Sequence, residues 1–133
     1  MIRNVVCPVA LDPDGAPLRI PVFEHPKAGF QLIKGGLQDS ERFEAGAARE
    51  LFEQSGLETR SAIYLGASDA IQTDTVWHFS LCRVSVPVRE AWQHFCKDDG
   101  GHLFKFTWLD LSDLDHGLIA PYSNALSWIK NAL

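Results

Sequence analysis

The sequence has no surplus of positive charge. Its 17 Asp and Glu outnumber its 12 Lys and Arg, for a formal net charge of -5. No overall basic field is therefore present to gather a nucleic-acid backbone by counterion release. A small anion bound together with a metal suits such a chain better than a polymer. Cysteine is also sparse. Cys7, Cys82 and Cys96 are odd in number, lack metal-ligand spacing and fall in or near apolar stretches, as unpaired thiols of a reducing compartment do. No apolar run approaches the ~20 residues needed to span a bilayer, and no basic segment followed by an apolar run opens the chain. The expectation is a soluble, cytoplasmic protein with no membrane partner. Repeats, low-complexity tracts and linkers are missing too. With 133 residues and 46% hydrophobic content, the chain reads as one compact domain, 1–133, that must hold the whole site.

What is present begins with alternating segments. Val5 to Leu11 and Leu18 to Phe23 are apolar or β-branched runs, and the intervening Asp12-Pro13-Asp14-Gly15 has turn chemistry, which predicts a hairpin. Phe30 to Ile33 predicts a short strand that ends at Lys34-Gly35-Gly36, where glycines permit close approaches. From Glu41 to Ser55 alanine, leucine and glutamate recur, predicting a helix capped by Ser40 and stopped at Gly56 before Leu57. Ala62 to Leu65 and Val76 to Val88 predict strands, followed by a polar loop with Asp98-Asp99-Gly100-Gly101 and a strand over Leu103 to Leu109. Pro121 to Leu133 places Ala125, Leu126, Ile129 and Leu133 at helical spacing, so a helix closes over the sheet.

The central helix carries the chemistry. Glu50, Glu53 and Gln54 stand at i, i+3 and i+4, which puts them on one face, and Gly46 one turn earlier leaves that face uncrowded. Ala47, Ala48, Leu51 and Phe52 form the other side and are expected to pack on a sheet. Neighbouring carboxylates repel unless a cation sits between them, and hard cations such as Mg2+ favour oxygen donors. By spacing alone, though, an acidic stripe on a helix is more often a solvated face.

The wider pattern changes that balance. Gly35, five residues, Glu41, seven residues, then Arg49-Glu50-Leu51-Phe52-Glu53-Gln54-Ser55-Gly56-Leu57 closely resembles the Nudix box over twenty-three consecutive positions. The resemblance implies an α/β (α+β) fold, an α/β/α sandwich with a mixed central sheet. It also implies a Mg2+- or Mn2+-dependent hydrolase that cleaves the diphosphate linkage of a nucleoside diphosphate joined to another moiety. Carried over by position, Glu50 and Glu53 bind the metal and help activate water, with Arg49 orienting them. Glu41 organises the loop and helix start, and carbonyls near Gly35 and Gly36 can add a ligand. Lys34 either supplies positive charge against the phosphates or is an exposed flanking lysine.

Two departures stand out. Gln54 replaces the second acid of the family's Glu-Glu pair, keeping an oxygen donor at the metal but losing a charge. Gly35 fits the five-residue spacing while Gly36 is one residue short, which suggests a one-residue deletion before Glu41. An acid from outside the box is then a candidate to complete the site: Asp98 or Asp99 ahead of Glu90, although Asp and Gly also favour a plain turn. His78, His94 and His102 read as structural or surface residues, and Phe30, Trp77 and Phe79 as core before base-stacking groups. The partner is a small nucleotide or related diphosphate, with no nucleic-acid polymer; a homodimer stays open. The alternative to hydrolysis is a nucleotide-binding regulatory module that keeps the fold with weak or no catalysis.

Overall fold

A computed structural model describes residues 1–15, 17–85 and 88–133, and for Asp99 the backbone alone. The chain runs β1 (Arg3–Leu11), β2 (Arg19–His25), β3 (Gly29–Leu32), β4 (Gly35–Gly36), α1 (Phe43–Ser55), β5 (Thr59–Gln72) and β6 (Thr75–Val84). It continues through β7 (Ala91–Cys96), a 3-10 turn (Asp98–Gly100), β8 (His102–Asp110) and α2 (Tyr122–Ala132). The strands form two four-stranded sheets, ordered β4-β1-β6-β5 and β3-β2-β8-β7. The first is mixed, because β1 lies parallel to β6 but antiparallel to β4.

The two-residue period of a strand sends alternate side chains to opposite faces, and here each face meets a different helix. Val5, Cys7 and Val9 of β1 join Trp77 and Phe79 of β6 and Ala125, Leu126 and Ile129 of α2. Val6 and Ala10 join Cys82, Phe104, Phe106 and the α1 residues Ala47 and Leu51. This is the expected α/β/α sandwich, with the strands between two helices. The three cysteines are buried and unpaired. Among the described residues, no helix is long and apolar enough to cross a membrane.

Several local expectations need correction. β1 and β2 do not form a hairpin ladder: they belong to different sheets, and the turn between them carries the chain across, leaving a bond from the Asp12 N–H to the Arg19 carbonyl at 2.9 Å. Ser40 does not cap α1. It sits at φ 60°, Arg42 is the N-cap residue without a side-chain bond, and the Glu41 carboxylate instead accepts from the Gln38 N–H at 3.0 Å. Gly56 does end the helix, at φ 78° with its N–H on the Phe52 carbonyl, as a left-handed cap requires. β6 stops at Val84; of its predicted extension to Val88, residues 86 and 87 lie outside the described residues. β5 is far longer than Ala62 to Leu65, and β7 occupies a stretch expected to be loop. Both are edge strands, so exposed polar positions hide their period. Leu133 lies beyond α2 and is 44% exposed, so the α2 stripe ends at Ile129.

The sheet-facing side of α1 is narrower than its sequence suggests. Ala47 and Leu51 are fully buried, whereas Phe52 is 51% exposed and points away from the core. Leu51→Ala is therefore expected to destabilise the fold by about 2–5 kcal/mol. Phe52→Ala is expected to stay within about 0.5 kcal/mol, a contrast that urea denaturation of the two variants measures.

Candidate active site

The site forms where the β3–β4 segment passes under α1. Gly35 and Gly36 pair with Val6 and Val5 of β1, which holds them against the acidic face of the helix. A Cβ on Gly35 would lie 2.1 Å from the Glu50 carboxyl carbon, while one on Gly36 would meet nothing within 4 Å. Glycine at 35 is thus the space that the Glu50 carboxylate occupies. Gly46 serves a similar end, since a Cβ there would come within 2.9 Å of Glu41 Oε1 and of Leu37.

Arg49 joins these pieces. Its Nε and Nη2 donate to the two Glu41 oxygens at 2.8 and 2.9 Å, and Nη2 also reaches the Gly36 carbonyl at 2.8 Å. Its Nη1 donates to Glu50 Oε1 at 2.8 Å and to Glu53 Oε2 at 3.2 Å. A planar guanidinium suits this fork because it offers donors in fixed directions and stays protonated. The Glu41 carboxyl is held below its ordinary pKa, chiefly by the Arg49 hydrogen bonds. Glu50 goes the other way: burial raises its pKa, although Gln54 and Arg49 bond to its charged form.

Of the acids proposed from outside the helix, the structure brings in Asp98. Glu50, Glu53 and Asp98 can each present a carboxylate oxygen such that all lie within 4.8 Å of one another. Such a hard, oxygen-only set suits a small divalent cation, whose opposite ligands stand about 4–5 Å apart. Glu90 does not join it; it pairs with Arg19 at 2.8 Å. The Asp99 side chain lies outside the described residues. Asp98 is carried by the turn that follows β7, and β7 is fastened to the end of α1 by the Trp92 indole N–H on the Ser55 carbonyl at 2.8 Å. No motif marks Trp92, because its partner is a backbone atom.

Gln54 is buried behind Glu50 and donates to it and to the Lys34 carbonyl. The Lys34 ammonium lies 5.9 Å from the centre of the Trp77 ring. The aromatic and imidazole candidates stand apart from this cluster. Trp77 and Phe79 are core residues, and Phe30 is 43% exposed. His78 is buried, stacks on Phe43 and bonds through both ring nitrogens, to Tyr64 and Asn4. His94 packs beside Gly56 and His102 beside His25.

A buried glutamate on a helix, a glycine that makes room for it and an arginine that orders it and its neighbouring acids stand on an α/β/α sandwich, with an acidic cluster that could hold a cation. The NUDIX domain model matches residues 2–129, and the chain belongs to the Nudix family of pyrophosphohydrolases. Solved structures agree in fold. A MutT NUDIX hydrolase from Burkholderia pseudomallei is 23% identical, with a TM-score of 0.65 over 96% of this chain and 97% of that one. The NUDIX domain of Shewanella oneidensis NrtR, solved with ADP ribose, is 14% identical, with a TM-score of 0.70 over 98% and 88%. A MutT from a study of the Aliivibrio salmonicida and Vibrio cholerae proteins is 16% identical, with a TM-score of 0.68 over 99% and 97%. No curated protein sequence is significantly similar.

Two expectations test this geometry without any ligand. Gly35→Ala should displace Glu50 from its partners and cost roughly 2 kcal/mol or more, with Gly36→Ala close to wild type by denaturation. Because the Glu41 pKa is lowered on folding, its stabilising effect is complete above the ordinary value of 4.5 and fades as pH falls through the lowered one. Glu41→Gln should therefore melt below wild type at pH 7, and the gap should close only on acidification below that value.

Proposed function

We propose that the protein is a Mg2+- or Mn2+-dependent hydrolase of a nucleoside diphosphate linked to another moiety, with a nucleoside triphosphate, nucleotide sugar or dinucleotide as substrate. The observation that carries this reading is the convergence of Glu50 and Glu53 of α1 with Asp98 of the β7–β8 turn, in a chain whose family cleaves diphosphates. A bound divalent cation would neutralise phosphate charge and lower the pKa of a water. The chain's own residues do the rest. Glu50 and Glu53 would offer oxygens to the cation from the helix, and Asp98 from the β7–β8 turn. Glu53, whose side chain is 40% exposed, faces solvent and accepts the proton of the attacking water. Arg49 holds Glu50 and Glu53 together and aimed by donating to one oxygen of each. Lys34 offers positive charge to the phosphates from the segment between β3 and β4.

The regulatory alternative draws on Gln54, which removes one carboxylate from the family pattern, and on the likeness to an NrtR domain solved with ADP ribose. Turnover separates the two readings. Purified protein with Mg2+ or Mn2+ is expected to release phosphate or nucleoside monophosphate from at least one member of a panel of nucleotides, nucleotide sugars and dinucleoside polyphosphates. Glu53→Gln is expected to lose 100-fold or more, on the order of a general base's contribution. Tight ligand binding with no metal-dependent turnover across the panel would instead establish the regulatory module.

A further inference from the structure

Gln54 occupies the position of the family's second paired glutamate, yet its side chain makes two donor contacts that a carboxylate cannot make. Its Nε2 lies 2.7 Å from the Lys34 carbonyl oxygen and 2.6 Å from Glu50 Oε2. A backbone carbonyl only accepts, and so does an ionised carboxylate; the group at 54 must supply both hydrogens, as a carboxamide does. The site is buried, with Gln54 8% exposed and Glu50 6% exposed. A glutamate in the same rotamer would set its oxygen against two other oxygens where little water reaches. That arrangement is unfavourable unless a cation or a proton stands between them.

Glu50 is thereby held at both ends. Arg49 Nη1 fixes Oε1 at 2.8 Å, Gln54 fixes Oε2, and the bare backbone of Gly35 closes off the space beside them. Each carboxylate oxygen retains a further lone pair for a cation.

We propose that Gln54 is a positioning residue: its two N–H bonds lock Glu50 to the Lys34 carbonyl between β3 and β4 and set the cation site in order before any cation arrives. This rests on the reading of Glu50, Glu53 and Asp98 as that site. It gives the motif position a role that Nε2 performs and that a carboxylate there cannot. Where a glutamate at this position needs bound metal to offset its charge, the glutamine needs none.

Three proteins test this: wild type, Gln54→Glu and Gln54→Leu. Each is melted in EDTA and in saturating Mg2+, followed by hydrogen exchange across residues 33–37, and titrated with Mn2+ by calorimetry. In EDTA both variants are expected to melt roughly 5 °C or more below wild type, from the loss of two buried hydrogen bonds, with faster exchange in that segment. Mg2+ should restore much of the loss in Gln54→Glu but not in Gln54→Leu, and Gln54→Leu should bind Mn2+ about tenfold more weakly, as when a ligand's supporting partner is removed. Wild-type stability and exchange of both variants in EDTA, combined with weakened Mn2+ binding, would make Gln54 a plain ligand and overturn the proposal. Unchanged Mn2+ affinity in Gln54→Leu would overturn it in the other direction, leaving only a structural contact. If wild type itself binds no Mn2+, the hydrolase reading fails, while the EDTA melts and exchange still decide whether Gln54 clamps Glu50 to Lys34.

Discussion

The structure of the site depends on one partly buried cation that belongs to the protein, the Arg49 guanidinium. It touches the loop carbonyl of Gly36, the loop acid Glu41 and the helix acids Glu50 and Glu53. Without it three carboxylates would crowd a half-buried corner and repel. With it, the loop between β4 and α1 is closed by hydrogen bonds at both ends, and the helix acids are held at fixed directions. A lysine could supply the charge but not the fork.

Much of this was legible in the sequence because the box encodes contacts and not only elements. The spacing from Gly35 to Glu41 to Arg49 reports a glycine that must lack a Cβ and an acid that must meet an arginine across the loop. Contacts that cross between elements left weaker traces. The crossing of the chain from β1 in one sheet to β2 in the other was hidden because Asp12 to Gly15 carries the same turn chemistry whether it closes a hairpin or a crossover. β7 was hidden because Phe95 is 57% exposed on an edge strand, which breaks the apolar alternation. The apolar type of Phe52 suggests a core position, whereas its place on the helix turns it outward. Asp98 could be nominated only as one of several acids, since its nearness to Glu50 follows from how β7 is fastened, and that fastening uses a backbone carbonyl.

The departure at Gln54 illustrates a general point about charge and order in buried sites. Removing a carboxylate reduces attraction for a cation, but it also removes repulsion that would otherwise scatter the remaining acids when no cation is bound. A neutral donor in its place shifts the work of arranging the site from metal binding to folding. Burial raises the pKa of Glu50, and the Gln54 and Arg49 contacts act against that rise.

The bond from the Trp92 indole to the Ser55 carbonyl has a mechanical meaning as well. Ser55 is the last residue of α1, and Trp92 sits at the start of the strand that delivers Asp98. Rocking of the helix would therefore carry the strand with it, so that Glu50, Glu53 and Asp98 travel as parts of one body.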